Sequence, residues 1–154
     1  MTYGYIKKIR SLVGHMPIIL NTSAGLILND KNEVLLNLRS DTHNWSLPGG
    51  YLEYGETFAK ACIREMKEDS GLDVRIIRPL HLFDEGDVHY PNGDVAQCIT
   101  QLFLCEPIGG HLLDHVTDET EGLAYWPLDQ LPPLLNWQQE AMLAFAREHL
   151  IKHN

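Results

Sequence analysis

An α/β fold is predicted: a three-layer α/β/α sandwich around a mixed β-sheet. Two observations carry this reading. Strand-like and helix-like segments alternate along the chain as strands, helix, strands, helix. The central helical segment and the last one each show apolar residues at helical spacing, so each buries one side. With 154 residues the chain is one domain's worth, long enough for a real core. The single domain is expected over 1–154, with an N-terminal helical extension at 1–16 and a closing helix at 136–151.

The first element expected is a helix over Tyr3 to Val13. Ile6, Ile9, Leu12 and Val13 share a face and Lys7, Lys8 and Arg10 lie elsewhere, which suits a helix docked on its own domain. Pro17 is expected to end it. Ile18 to Leu28 is rich in β-branched and apolar residues, the turn Asn29-Asp30-Lys31-Asn32 follows, and Val34 to Leu38 returns, so a hairpin is predicted. Pro48-Gly49-Gly50 reads as a sharp bend after a strand end, and Gly55 as another flexible point.

From Phe58 onward Phe58, Cys62 and Met66 recur every four residues with Ala59 and Ile63 beside them, and Gly71 is a natural stop. The opposite side carries Glu65, Glu68 and Asp69, brought together by three- and four-residue spacings. Like charges so placed cost about a few tenths of a kcal/mol per pair. They also crowd the C-terminal end of the helix, where the macrodipole is already negative. Carboxylates at the wrong pole call for a counter-ion, and hard oxygen ligands suit Mg²⁺ or Mn²⁺. Glu56 falls at the helix entry, and Arg64, eight residues later, is long enough to reach back to it or to hold Glu65.

Val74 to Phe83 is the next expected strand. Asp84 to Asp87 is an acidic loop, Tyr90-Pro91-Asn92-Gly93-Asp94 a turn cluster suited to a hairpin, and Cys98 to Cys105 the returning strand. Gly109-Gly110 is expected to break the chain before a polar, acid-rich loop from Asp114 to Glu121. Trp126 to Pro132 supplies a last strand and turn. The final helix, Asn136 to Ile151, is expected to bury Trp137, Ala141, Ala144 and Phe145.

Composition limits the function. Apolar residues make up 44% and charged residues 21%, ordinary for a soluble globular protein. A net charge of -9 argues against a nucleic-acid polymer as partner, which would need a basic surface. Cys62, Cys98 and Cys105 lie in apolar runs without framework spacing, so buried reduced thiols are expected. No apolar run is long enough to span a bilayer and no signal-peptide pattern is present, so no membrane partner and a cytoplasmic location are expected.

The central stretch also carries a family resemblance. Gly50, five residues, Glu56, seven residues, then Arg64-Glu65-Met66-Lys67-Glu68-Asp69-Ser70-Gly71-Leu72 closely resembles the signature box of the Nudix hydrolase superfamily (MutT-like), over 50–72. One fixed position departs: Asp69 stands where the box has Glu. A chance match is on the order of one in a hundred million per starting position. Trp45 before Leu47-Pro48-Gly49-Gly50, and the closing Trp126 to Pro132, are also familiar in that superfamily.

The resemblance implies cleavage of the pyrophosphate bond of a nucleoside diphosphate linked to another moiety, by divalent-metal-assisted attack of water at phosphorus. Glu65, Glu68 and Asp69 would hold Mg²⁺ or Mn²⁺. Arg64 would orient Glu65, Glu56 would pair with Arg64, and Gly50 would permit the loop bend. Family members often place a further acid, as ligand or base, in the loop before the closing strand; Glu119 is the choice here, with Asp118 and Glu121 as rivals. The base is Glu65 or Glu119. The shorter Asp69 can weaken one metal position or act through water. Arg39 can meet a phosphate or be a surface charge, and Trp45 can stack on a base or pack on its loop. His89 and Tyr90 are candidate substrate contacts on an overhanging hairpin. Homodimers are frequent in the superfamily. Two other readings share the fold: a nucleotide-binding module or regulator without turnover, and an isoprenoid-diphosphate isomerase using Cys98 or Cys105.

Overall fold

The computed structural model describes residues 4–151. The expected helix start at Tyr3 and both ends of the expected 1–154 domain lie outside them. The elements are α1 (Tyr5–Val13), β1 (Ile18–Ile27), β2 (Glu33–Arg39), β3 (Trp45–Ser46), β4 (Gly49–Tyr51), α2 (Phe58–Ser70), β5 (Leu72–Phe83), β6 (Asp87–His89), β7 (Val95–Gly110), β8 (Thr120–Pro127) and α3 (Trp137–His149). Among the described residues no helix is long and apolar enough to cross a membrane.

The strands form a five-stranded mixed sheet, β4-β1-β7-β5 with β6 also on β7, and a three-stranded antiparallel sheet, β3-β2-β8. In the mixed sheet β1 and β7 run parallel from Ile18 opposite Ala96 to Ile27 opposite Cys105. The expected hairpin is thereby corrected: past the end of β1 the chain meets β2 at the Leu28–Val34 bridge and the Asn29 N–H to Glu33 carbonyl bond, and the two strands then part into different sheets. Asn29 makes the corner, its side-chain oxygen accepting from the Lys31 and Glu33 N–H groups.

The sandwich follows from the period-2 alternation of these strands. Ala24, Leu26, Val34, Leu36 and Leu102 face one way and pack with Met142, Leu143 and Ala146 of α3. Ile27, Leu35, Phe103 and Cys105 face the other way and pack with Cys62 and Met66 of α2. A one-residue slip in any of these strands would exchange the two cores. Burial of each of the larger side chains contributes roughly 1.5–3 kcal/mol.

The helices are set by their caps more than by the expected breakers. α1 ends at Gly14, whose φ of 63° accompanies an N–H donated to the Arg10 carbonyl, three residues before Pro17. It docks lightly: Ile6 packs against the Leu20, Ala96 and Cys98 cluster while Leu12 is 75% exposed. Arg10 reinforces the dock by donating to the Val95 carbonyl at 2.8 Å. In α2 the Thr57 side chain accepts from the Lys60 N–H, and Gly71 closes the helix at φ 85°. Ile63, expected inside, is exposed, and Ala61 takes its place in the core.

In α3 the buried face is Gln138, Met142, Leu143 and Ala146. The expected face is off by about one residue: Trp137 and Ala144 are exposed, and Ala141 and Phe145 are half-buried. Gln138 decides this phase, because its amide reaches the Thr100 hydroxyl at 2.8 Å and the Cys98 carbonyl at 3.1 Å. β7 runs through Gly109-Gly110, which pair with Asp73 and Leu72, instead of breaking there.

Candidate active site

The acids of α2 meet the lead-in to β8 beneath β4. In α2 Met66 and Cys62 fix one side against the sheet, so Glu65 and Asp69, expected on the open side, turn inward; they are 7% and 5% exposed. Glu68 stays half-buried at the rim. β8 contributes the other wall. Thr120 is buried, 1% exposed, and Glu119 just before it is half-buried. Among the described residues Glu65, Glu68 and Glu119 form a group whose carboxylate oxygens lie within 4.8 Å of one another.

The rivals of Glu119 stand elsewhere. Asp118 is exposed, and Glu121 pairs with His43 at 2.7 Å. Asp69 is not in the group either. Its Oδ2 accepts the Gly49 N–H at 2.9 Å, and its carboxyl hydrogen-bonds Glu119. The shorter side chain thus reaches the loop and the side of Glu119.

Arg64 organises the acids. Its Nε and Nη2 donate to the two oxygens of Glu56, both at 2.8 Å. Its Nη1 donates to Glu65 Oε1 at 2.9 Å and lies 3.4 Å from Glu68, and Nη2 also reaches the Tyr51 carbonyl at 3.0 Å. A fork so saturated has little freedom. Thr57, not Glu56, caps the helix, which leaves the Glu56 carboxylate for Arg64 and the Glu53 N–H.

Gly49 and Gly50 are not a bend. They form β4, paired with Ala24 and Ser23 of β1. A Cβ on Gly49 would sit 2.3 Å from the Ser23 carbonyl oxygen, and one on Gly50 would sit 2.5 Å from the Glu65 carboxyl carbon. Both are glycine because backbone and carboxylate approach so closely.

Charge follows from burial. Desolvation pushes the Glu65 carboxyl up to about 7, with Glu68 and Glu119 adding repulsion and Arg64 opposing it. Asp69 is driven well above the usual carboxylate range, first by burial and then by its contact with Glu119. Glu56 is held below its ordinary value by the Arg64 guanidinium. Three close oxygens, one buried and repelled, fit a hard divalent cation, whose charge would reverse each of these penalties.

The candidate substrate contacts are dispersed. The Arg39 guanidinium is held by both oxygens of Asp41, at 2.9 and 2.7 Å, with Asp69 within electrostatic reach. Trp45 packs edge-on against Trp126, ring centres 5.3 Å apart. Tyr90 turns under the hairpin, its hydroxyl bonded to that of Tyr51 and 3.8 Å from the Cys98 thiol. His89 is exposed and bonded to Asp87. The three cysteines are free and buried.

Two positioning contacts went unread in the sequence. Gln139 Oε1 accepts the Leu47 N–H at 2.8 Å, tying the loop before Gly49 to α3. The Thr120 hydroxyl donates to the Asp69 carbonyl at 2.9 Å. Only the adjacency of Thr120 to Glu119 hinted at it.

Comparison with known proteins agrees with this geometry. Residues 20–146 match the NUDIX domain. The ADP-ribose pyrophosphatase of Methanocaldococcus jannaschii is 31% identical over 130 residues, covering 83% of this chain and 68% of the relative. The putative ADP-ribose pyrophosphatase YjhB of Bacillus subtilis is 32% identical over 105 residues, covering 68% of this chain but only 49% of that protein. The crystal structure of a MutT protein from Methanosarcina mazei superposes with a TM-score of 0.68 at 20% identity, over 88% of this chain and 98% of that one, a likeness of fold.

Proposed function

The chain belongs to the Nudix family, and from that premise we propose that it hydrolyses the pyrophosphate bond of a nucleoside diphosphate linked to another moiety, as one domain over 1–154, with Mg²⁺ or Mn²⁺. The observation that carries this is the convergence of Glu65, Glu68 and Glu119 within 4.8 Å, beside an Arg64 locked by Glu56. The names of the archaeal and Bacillus relatives make ADP-ribose the first substrate to try.

Glu65, Glu68 and Glu119 would hold the ion. When bound, a divalent cation neutralises diphosphate oxygens and makes water more acidic. The chain's residues do the rest. Arg64 fixes the Glu65 carboxylate from one side, and the missing side chain of Gly50 lets it close from the other. Water attacks one phosphorus, the bond from that phosphorus to the bridging oxygen breaks, and the proton of the water passes to a carboxylate, Glu65 or Glu119. Asp69, buried and bonded to the Gly49 N–H, braces β4 and stands outside the group of three close oxygens. Arg39, with Asp69 within electrostatic reach, would receive a phosphate by exchanging it for Asp41.

The isomerase alternative finds little support in its cysteines. Cys98 packs with Leu20 and Ala96, and Cys105 with α2 residues behind the acids. The test is phosphate release from a panel of nucleoside diphosphate conjugates, ADP-ribose first, with Mg²⁺ and a phosphatase that acts only on the monoester products. Hydrolysis predicts release. Binding without release would identify a regulator, and a new product without release an isomerase.

A further inference from the structure

We propose that Thr120 is a positioning residue that sets where Glu119 stands relative to Glu65 and Glu68, acting through a buried ladder of polar side chains. This rests on the reading of those three acids as a cation site.

The ladder crosses the three-stranded sheet. Ser46 Oγ donates to Asn37 Oδ1 at 3.2 Å, Asn37 Nδ2 reaches Thr120 Oγ1 at 3.5 Å, and Thr120 Oγ1 donates to the Asp69 carbonyl at 2.9 Å. All are almost without solvent contact: Ser46 1%, Asn37 3%, Thr120 1%, Asp69 5%. Polar groups so buried are costly unless paired, and each of these finds its partner along the ladder.

The acceptor explains the geometry. The last carbonyls of a helix lack intrahelical partners. In α2 the Lys67 carbonyl takes the Gly71 N–H, the Ser70 carbonyl takes the Leu113 N–H, and the Asp69 carbonyl takes the Thr120 hydroxyl. Thr120 therefore joins the turn that follows Glu65 and Glu68 to the strand residue next to Glu119. The strand needs such a tie, because its pairing with β2 shifts register between Leu38 and Arg39, the residue opposite Thr120. The loop is held separately: Ser40 N–H donates to the Glu119 carbonyl at 3.1 Å, and Thr117 Oγ1 accepts the Thr120 N–H at 3.0 Å. Removing the hydroxyl should displace Glu119 from the other acids without releasing the loop.

The test is Mn²⁺ titration of the full chain, read from the spin-resonance signal of free Mn²⁺, with thermal unfolding alongside. Thr120→Val is expected to weaken Mn²⁺ binding about tenfold, as loss of a group supporting a metal ligand does. Thr120→Ser, which restores the hydroxyl, should bind within about twofold of wild type, and Thr120→Val should add less than about twofold when Glu119 is already Gln. A folded Thr120→Val that binds Mn²⁺ as wild type does, or losses that multiply in the double variant, would overturn the proposal. If Thr120→Val does not fold, Ser46→Ala loosens the same ladder from its far end; it should weaken binding about threefold, the low end for coupling within one hydrogen-bond network, and unchanged binding overturns the proposal. A wild type that binds no Mn²⁺ refutes the cation site itself, a separate outcome.

Discussion

Replacing Gly50 with alanine is expected to disable the site while leaving the fold in place. The added methyl carbon would lie 2.5 Å from Glu65 Cδ and 2.6 and 2.8 Å from its oxygens. Non-bonded atoms settle at about 3.5 Å, so the carboxylate has to retreat by roughly 1 Å. It cannot do so and keep the 2.9 Å bond from Arg64 Nη1. Overpacking of this kind costs about 1–3 kcal/mol. A misplacement of about 1 Å at reacting groups costs about a hundredfold in rate. Gly55 is the control: its φ of 88° strains any other residue, but no atom lies within 4 Å of an added Cβ. Gly55→Ala should lose about 1–2 kcal/mol with turnover nearly intact. Urea unfolding and hydrolysis of the best conjugate from the panel separate the two. Turnover by Gly50→Ala within about threefold of wild type would refute the steric argument.

Three further expectations follow from the same contacts. Asp69→Asn retains an acceptor for the Gly49 N–H and places an amide beside Glu119, so stability should change by less than about 1 kcal/mol; a hundredfold loss of Mn²⁺ affinity would instead make Asp69 a ligand. Glu65 is raised to about 7 from 4.5, so folded protein keeps a proton there that unfolded chain has lost. Its contribution is complete below pH 4.5 and is lost as pH rises through about 7. In chelator-treated protein the unfolding free energy of wild type minus that of Glu65→Gln should fall by up to about 3 kcal/mol across that window; a flat or rising difference in urea titrations counts against it. Thr57→Ala removes the cap on the Lys60 N–H and should cost about 1 kcal/mol by the same measurement, with no loss expected if the cap were incidental.

Much of the site was legible because helical spacing is a local property. Glu56, Arg64, Glu65 and Glu68 are related by one helix and its entry, and apolar neighbours fix their phase. The path of the strands is not local. Two apolar runs around Asn29 looked like a hairpin, yet which strands they join depends on partners 78 to 94 residues away, Ala96 to Cys105 and Thr120 to Pro127. Paired glycines carry the same ambiguity. Gly49-Gly50 looks like a bend from its neighbours alone, and only Ser23 and Glu65, brought up by folding, show that close approach is what excludes a side chain. In α3 the aromatic residues suggested the wrong face, because the value of burying Gln138 depends on a donor and an acceptor in β7 and an acceptor at the end of β5. The tie from Thr120 to Asp69 joins residues 51 apart and was beyond any spacing rule.

The most direct test is anomalous diffraction from crystals grown with Mn²⁺. A peak is expected bounded by the carboxylates of Glu65, Glu68 and Glu119, with Asp69 still on the Gly49 N–H. Mn²⁺ found elsewhere, or no peak among those three acids, would contradict it.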